Sequence, residues 1–257
     1  MLIIQKIEEQ TQLRKKQLAI LVDPDKSTQS SLEEIARLAC KTGVDYIFVG
    51  GSLLTRDNLS FCIEEVRRHC GIPVVLFPGS VFQVDGQADA LLLLSLISGR
   101  NPDMLIGNHV VAASMLQQSG LELIPTGYML VESGKITSVQ YMSNTMPIPF
   151  DKTDIAVSTA LAGAMLGLRI IFMDAGSGAM HPVPLDMIRA VKESIRVPLI
   201  VGGGIRTAET AYDSWASGAD VVTIGNAAET HPEVIPKIAE AKKELNAANR
   251  EKNIKFV

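Results

Sequence analysis

Three glycine-rich segments carry the first chemical signal in this chain: FMDAGSGA (Phe172–Ala179), VGGGIR (Val201–Arg206) and TIGNAA (Thr223–Ala228). Each follows a short aliphatic or β-branched run, and helical patterns follow the first two. Glycine at a strand end lets backbone N–H groups approach a ligand, and a helix N-terminus adds partial positive charge. That combination binds phosphate without a lysine. A second signal lies in the first half. LVDPDKS supplies Asp23, Asp25, Lys26 and Ser27, and FVGGSLLT supplies Ser52 and Thr55. A hard Mg²⁺ takes one or two carboxylates, hydroxyls or waters, and phosphate oxygens. Asp23 and Ser52 on adjacent strands would form half of such a shell and leave the rest to substrate oxygens. Asp25 and Ser27 read as turn and helix-capping residues.

The elements that must position these groups recur along the whole sequence. Eight mostly apolar runs read as strands: 18–22, 45–50, 73–77, 90–95, 121–125, 169–173, 198–202 and 220–225. They show little alternation, as parallel strands covered on both faces do. Helical patterns fall at 30–42, 56–69, 103–118, 154–166, 184–194 and 207–217, and a charged helix at 232–250 closes the chain. Repeated β-α units of this number predict an α/β fold, a (β/α)8 or TIM barrel, whose phosphate site is often built from the loops after strands 7 and 8. One connection is too short. PGSVFQVDGQAD, between Phe77 and Ala90, holds twelve residues with two glycines and a proline. A parallel crossover needs a dozen or more, so the third helix is expected to be replaced by an irregular segment. Tyr128–Lys152 is a second irregular stretch, with room for extra β structure and a long loop.

Bulk properties narrow the class. A chain of 257 residues without a composition break is read as one barrel domain spanning 1–257. Its net charge of −4 offers no broad basic surface for nucleic acid. Cys40, Cys62 and Cys70 show no C-x-x-C spacing and read as buried free thiols in a reducing cytoplasm. ADALLLLSLISG is interrupted too soon by Arg100 and Pro102 to span a bilayer.

In order and separation, LVDPDK, FVGGS, PTGYML, FMDAGSGA, VGGGIR and IGNA resemble the geranylgeranylglyceryl phosphate synthase family, in its AGSG-containing group, from about Ala19 to Ala228. The resemblance implies a modified barrel lacking its third helix, in agreement with the short Phe77–Ala90 connection. It implies a prenyl transfer that joins C1 of geranylgeranyl diphosphate to the 3-hydroxyl of sn-glycerol 1-phosphate and releases pyrophosphate, with Mg²⁺ as cofactor. By motif, Asp23 and Ser52 match the metal ligands. Phe172, Met173, Asp174, Ala175, Gly176, Ser177, Gly178, Gly203, Gly204, Gly225 and Asn226 match the glycerol-phosphate segments, and Tyr128 a tyrosine beside that substrate. The product is a membrane-lipid precursor, and a homo-oligomer is expected. Where the family writes tyrosine-leucine-glutamate this chain has Phe172, Met173 and Asp174. The phenol is lost there and the carboxylate is withdrawn by one methylene, yet Asp174 remains the candidate to orient the acceptor hydroxyl and take its proton.

Other residues carry two readings each. Lys26 either touches diphosphate or neutralises Asp23 and Asp25, and Arg206 either reaches phosphate or decorates a turn. The four histidines are scattered and none is assigned to catalysis; Trp215 reads as packing. Leu, Ile and Met at 91–97 and 104–116 read as core, with some lining an apolar groove if a C20 chain is bound. Heptaprenylglyceryl phosphate synthases, with a longer donor, usually carry lysine where this chain has Leu21 and lack the AGSG turn. A phosphosugar isomerase or thiamine-phosphate barrel would share the glycine loops without needing LVDPDK and GGS. A non-catalytic phosphometabolite-binding barrel would bind glycerol phosphate without turnover.

Overall fold

Alternate residues of every strand go to two different cores, and this double burial is why the runs look continuously apolar. In the computed structural model, which describes residues 1–254, β1 (Gln17–Val22), β2 (Tyr46–Val49), β3 (Val74–Leu76), β4 (Ala90–Leu96), β5 (Glu122–Leu130), β6 (Ile170–Asp174), β7 (Leu199–Gly202) and β8 (Val221–Ile224) form a closed barrel. All neighbours are parallel; β1 closes the ring by pairing Ala19 with Tyr46 of β2 and Ile20 with Ile224 of β8. Ile170 and Phe172 of β6 pack inside the barrel with Tyr46, Phe48 and Tyr128. Ile171 and Met173 point the other way, into the layer between barrel and helices. By the same alternation Asp174 returns to the inside, at the carboxyl end.

The outer layer comprises α2 (Gln29–Thr42), α3 (Leu59–His69), α4 (Asn108–Gln118), α6 (Thr153–Met165), α7 (Leu185–Ser194), α8 (Ala208–Ala216) and α10 (Val234–Ile254). Their apolar stripes face the barrel; Ile35, Ile63, Ile188 and Ile238 are fully buried or nearly so. As the short connection predicted, no helix joins β3 to β4. Gln83 organises that segment instead. Its buried amide donates to the Gly51 carbonyl at 2.8 Å and accepts from the Gly79 N–H at 3.1 Å, binding the end of β2 to the end of β3.

Four details depart from the sequence expectation. The run at 121–125 continues to Leu130, so PTGYM is strand, held by pairing with β4 and β6 that places Tyr128 opposite Phe172. The extra β structure expected in 128–152 is a lone bridge, Val131 with Ile148, beside the short helix α5 (Ser138–Ser143). The helix at 103–118 starts with a π-helical turn over Asp103–Gly107. Cys62 and Cys70 are buried thiols but Cys40, on the outer face of α2, is exposed.

The sequence also hid two helices. α1 (Ile3–Gln12) lies across the amino-terminal end of the barrel, with Ile3, Ile4 and Ile7 packed into the inner core. The Glu122 carboxylate at the start of β5 accepts from the N–H groups of Ile3 (2.6 Å) and Ile4 (2.9 Å), an anion set on the positive end of the helix. α9 (Asn226–Thr230) follows β8 directly.

Candidate active site

At the carboxyl end of β1 the chain turns through Asp23, whose side chain is held on two sides. Lys26 Nζ lies 2.6 Å from Oδ2, and the Asp25 N–H donates to Oδ1 at 3.1 Å. Asp25 does not cap the next helix, a place taken by Thr28; its carboxylate accepts from the Thr55 N–H at 2.6 Å and the Arg56 N–H at 3.1 Å, which fastens the loop after β2. Ser27 donates to the Asp23 carbonyl at 2.8 Å. Asp23 and Ser52 border the same cavity. Among the described residues no three His, Cys, Asp or Glu side chains gather into a metal cage. One carboxylate and one hydroxyl facing a cavity suit Mg²⁺, which keeps waters and binds through substrate phosphates rather than in an all-protein shell.

Across the mouth, the last residue of β6 is a buried carboxylate. Asp174 Oδ2 accepts from the Tyr128 hydroxyl at 2.5 Å, and Oδ1 accepts from the Gly176 N–H at 2.8 Å. Asp174 therefore both caps the AGSG turn and presents an edge to the cavity. Burial holds its carboxyl above the ordinary aspartate range, against the pull of those two hydrogen bonds. Burial and the adjacent carboxylate push the Tyr128 phenol well above its usual value, so it stays a donor. Phe172 itself joins Phe77 and Tyr128 in a buried aromatic cluster with centroids 5.1–5.8 Å apart.

The glycine segments meet as a rim on this side. Ser177 donates to the Asn226 side chain at 2.8 Å, linking the loops after β6 and β8. Gly203 has φ +79, and a Cβ there would sit 2.5 Å from Asp174 Oδ1 and 2.6 Å from the Gly176 nitrogen. Backbone and carboxylate approach so closely that no other residue fits. At Gly204 a Cβ would meet the His181 carbonyl at 2.9 Å, so close packing of the loops claims that position. Arg206 is turned toward the Ala179 and Met180 carbonyls, where it braces the AGSG loop. Of the residues assigned to substrate from sequence, Tyr128, Asp174, Ser177 and Gly225 border the cavity. Met173 and Ala175 lie in the outer core, and Phe172 lies in the barrel interior.

The cavity, about 420 Å³, runs from this polar mouth sideways through the gap left by the missing helix. Its far part is apolar, with Val81, Val84, Leu91, Leu93, Ala112 and Leu116 on its walls. Phe77, at the end of β3, stands at the junction. His109 borders the groove with Nε2 3.2 Å from Ser95 Oγ, and burial lowers its pKa, so it is neutral there.

Three residues in or beside the site carry no motif signal in the sequence: Gln83, Lys135 and Glu229. Lys135 Nζ reaches to 3.4 Å from the Cβ position of Gly178, above the AGSG loop. Glu229, on α9, lines the mouth and accepts from the Asp23 N–H at 2.8 Å. Burial raises its carboxyl above the usual range.

Residues 11–242 match the PcrB family. The chain is 51% identical over 226 residues to a geranylgeranylglyceryl phosphate synthase of Chitinophaga pinensis, covering 88% of this chain and 90% of the relative. It is 49% identical over 232 residues to one of Spirosoma linguale, covering 90% and 93%. The crystal structure of (S)-3-O-geranylgeranylglyceryl phosphate synthase from Thermoplasma acidophilum, in complex with sn-glycerol-1-phosphate, superposes with a TM-score of 0.89 at 32% identity, covering 95% of this chain and 99% of that one. The likeness thus runs along nearly the whole chain, in sequence and in fold, and the chain belongs to the PcrB family of geranylgeranylglyceryl phosphate synthases.

Proposed function

We propose that this chain transfers a geranylgeranyl group from its diphosphate to the 3-hydroxyl of sn-glycerol 1-phosphate. The observation that carries the reading is one continuous cavity joining a carboxylate-bearing polar mouth to an apolar lateral groove. An allylic diphosphate has that same division, and a C20 tail gains about 0.8 kcal/mol per CH₂ buried. The sn-glycerol-1-phosphate bound to the Thermoplasma relative supports the acceptor.

In the reaction the bond from C1 to the diphosphate oxygen breaks and the bond from C1 to the acceptor oxygen forms. The acceptor proton goes to Asp174, and pyrophosphate leaves. Asp174 is placed for this by Tyr128, which donates to Oδ2 and fixes the carboxylate plane. The backbone of Ser177–Gly178, Gly203–Gly204 and Gly225–Asn226 holds the acceptor phosphate, and Lys135 adds positive charge above that rim. Asp23 and Ser52 would hold Mg²⁺, which supplies Lewis-acid stabilisation of the leaving diphosphate. Lys26 lies beside Asp23 on the same side. In-line placement of the two reacting atoms supplies much of the rate, up to about 7–11 kcal/mol at the favourable limit.

On this reading the reaction runs in the cytoplasm and its lipid product passes to the membrane; separately, no described helix is long and apolar enough to cross a membrane. Val110 and Val111 of α4 and Met165 and Leu166 at the end of α6 are exposed and suit a homo-oligomer. The deciding experiment incubates the enzyme with labelled sn-glycerol 1-phosphate, Mg²⁺ and C10–C35 prenyl diphosphates, then extracts the lipid. A C20 ether is expected. A C35 product would identify a heptaprenyl transferase, and binding without any product a non-catalytic barrel.

A further inference from the structure

Glu229 occupies a place that a β-ladder would ordinarily fill. The β1–β8 pairing stops at Ile20 with Ile224, because β8 ends there and Gly225 turns away. The Asp23 N–H, three residues past Ile20 and just beyond the end of β1, therefore has no partner on β8. The Glu229 carboxylate takes that hydrogen bond at 2.8 Å from a largely buried position. Glu229 is in turn anchored to the Gly225 turn: its own N–H donates to the Gly225 carbonyl at 3.2 Å, and the Ala228 N–H donates to the same oxygen at 2.8 Å. Asn226, the next residue, holds Ser177 of the AGSG loop. A short continuous path thus leads from the glycine rim through Gly225 and Glu229 to the backbone of Asp23. The Asp23 carboxylate is fixed separately, by Lys26 and the Asp25 N–H.

We propose that Glu229 is a positioning residue that couples the two substrate subsites, by tying the backbone of the diphosphate-side Asp23 to the turn that holds the acceptor phosphate. The proposal rests on the assignment of those subsites made above. Seating a phosphate on the Gly225–Asn226 turn orders that turn, and through the Glu229 hydrogen bond it orders Asp23. Occupancy of one subsite then raises affinity at the other, and the coupling is reciprocal. What matters is the hydrogen-bond acceptor at the reach of a glutamate, not its charge.

Three variants separate these features. Glu229→Gln keeps an acceptor oxygen at the same reach and removes the charge. Glu229→Asp keeps the charge and withdraws the oxygen by one methylene, and Glu229→Ala removes both. Inorganic pyrophosphate with Mg²⁺ is titrated calorimetrically into the full chain, with and without saturating sn-glycerol 1-phosphate, and circular dichroism checks folding. In the wild type the acceptor should tighten pyrophosphate binding about fivefold or more. Glu229→Gln should keep most of that tightening. Glu229→Asp and Glu229→Ala should lose it and bind pyrophosphate about tenfold more weakly, as expected for the loss of one hydrogen bond. Their affinity for sn-glycerol 1-phosphate alone should stay within about twofold of wild type. In turnover the donor KM should rise more than the acceptor KM. Wild-type coupling in Glu229→Ala overturns the proposal, and so does a Gln variant as defective as Asp, which would show that charge is what counts. A wild type that binds neither ligand overturns the assigned function itself, and one that binds both without coupling overturns only the role of Glu229.

Discussion

The two sides of the barrel mouth are made of different materials. On the side of β6, β7 and β8 the surface is backbone: glycine turns packed so closely that Gly203 would place a Cβ 2.5 Å from Asp174. On the side of β1 to β4 it is side chains, with Asp23, Lys26 and Ser52 at the rim and Leu, Val and Ala in the groove behind them. A backbone surface has a fixed shape and reads a small invariant group such as a phosphate. A side-chain surface can be changed one residue at a time and can read length. The omission of one helix makes the second surface available without disturbing the first, since Gln83 holds the ends of β2 and β3 together in its place.

The largest effect should come from the carboxylate on the side-chain face. Asp23→Asn is expected to cost about 10³-fold in kcat/KM, the loss of several kcal/mol of leaving-group stabilisation. Acceptor affinity, measured by calorimetry, should change little; an equal loss at both substrates would break the division between the faces.

Asp174→Asn should lower kcat by about 10²-fold or more with little change in KM. It should also separate activity from stability. Because burial raises the pKa of Asp174 in the fold above the ordinary aspartate range, the native state holds that proton more tightly than the unfolded chain does. Stability from this group is therefore present at low pH and is lost as pH rises through the raised value. The Asn variant should melt no lower than wild type at pH 7, whereas in the wild type kcat should fall on the acid side above the ordinary aspartate range. A pH-rate profile and thermal melts together check both signs.

Gly203→Ala should raise the acceptor KM by about tenfold and destabilise the fold by about 1–3 kcal/mol, since it forces a side chain into positive φ against the Asp174 carboxylate. Ala112→Leu should have the smallest effect and the most selective. Added methylenes on the groove wall would raise KM for a C20 donor about tenfold and leave a C10 donor unchanged. A shift in acceptor KM in this variant would show that the two surfaces are not independent.

The strands were legible because each sits between two cores and carries apolar residues on both faces. That same property concealed which residues face inward. In IIFMD nothing in residue type says that Phe172 points into the barrel and Met173 out of it, and a motif match takes in both; Met173 lies in the outer core. The missing helix was legible as a length. β5 outruns its apolar signal: the run ends at Pro125, yet pairing with β4 and β6 carries the ladder through Gly127 to Leu130. Asp23 and Asp174 could be found because a carboxylate directly after an apolar run stands out. Glu229 could not, because α9, the five-residue helix that carries it, is too short to leave a helical pattern in the sequence. Its role depends on where β8 stops, which tertiary geometry decides. The pairing of Tyr128 with Asp174, distant in sequence, likewise comes from strand register.

With α1 laid over its amino-terminal end, the barrel is a vessel with a sealed floor. Ile3, Ile4 and Ile7 occlude the base, so whatever arrives at the reaction centre departs past the rim or through the lateral slot. Under the proposed chemistry the two products face different exits: pyrophosphate sits at the rim, while the new lipid has its tail in the slot. Departure is then ordered by geometry, with the small anion free to go first and the lipid sliding out sideways toward whatever apolar phase receives it. Removing the first twelve residues would unseal the base, flood the inner core with water and erase that order.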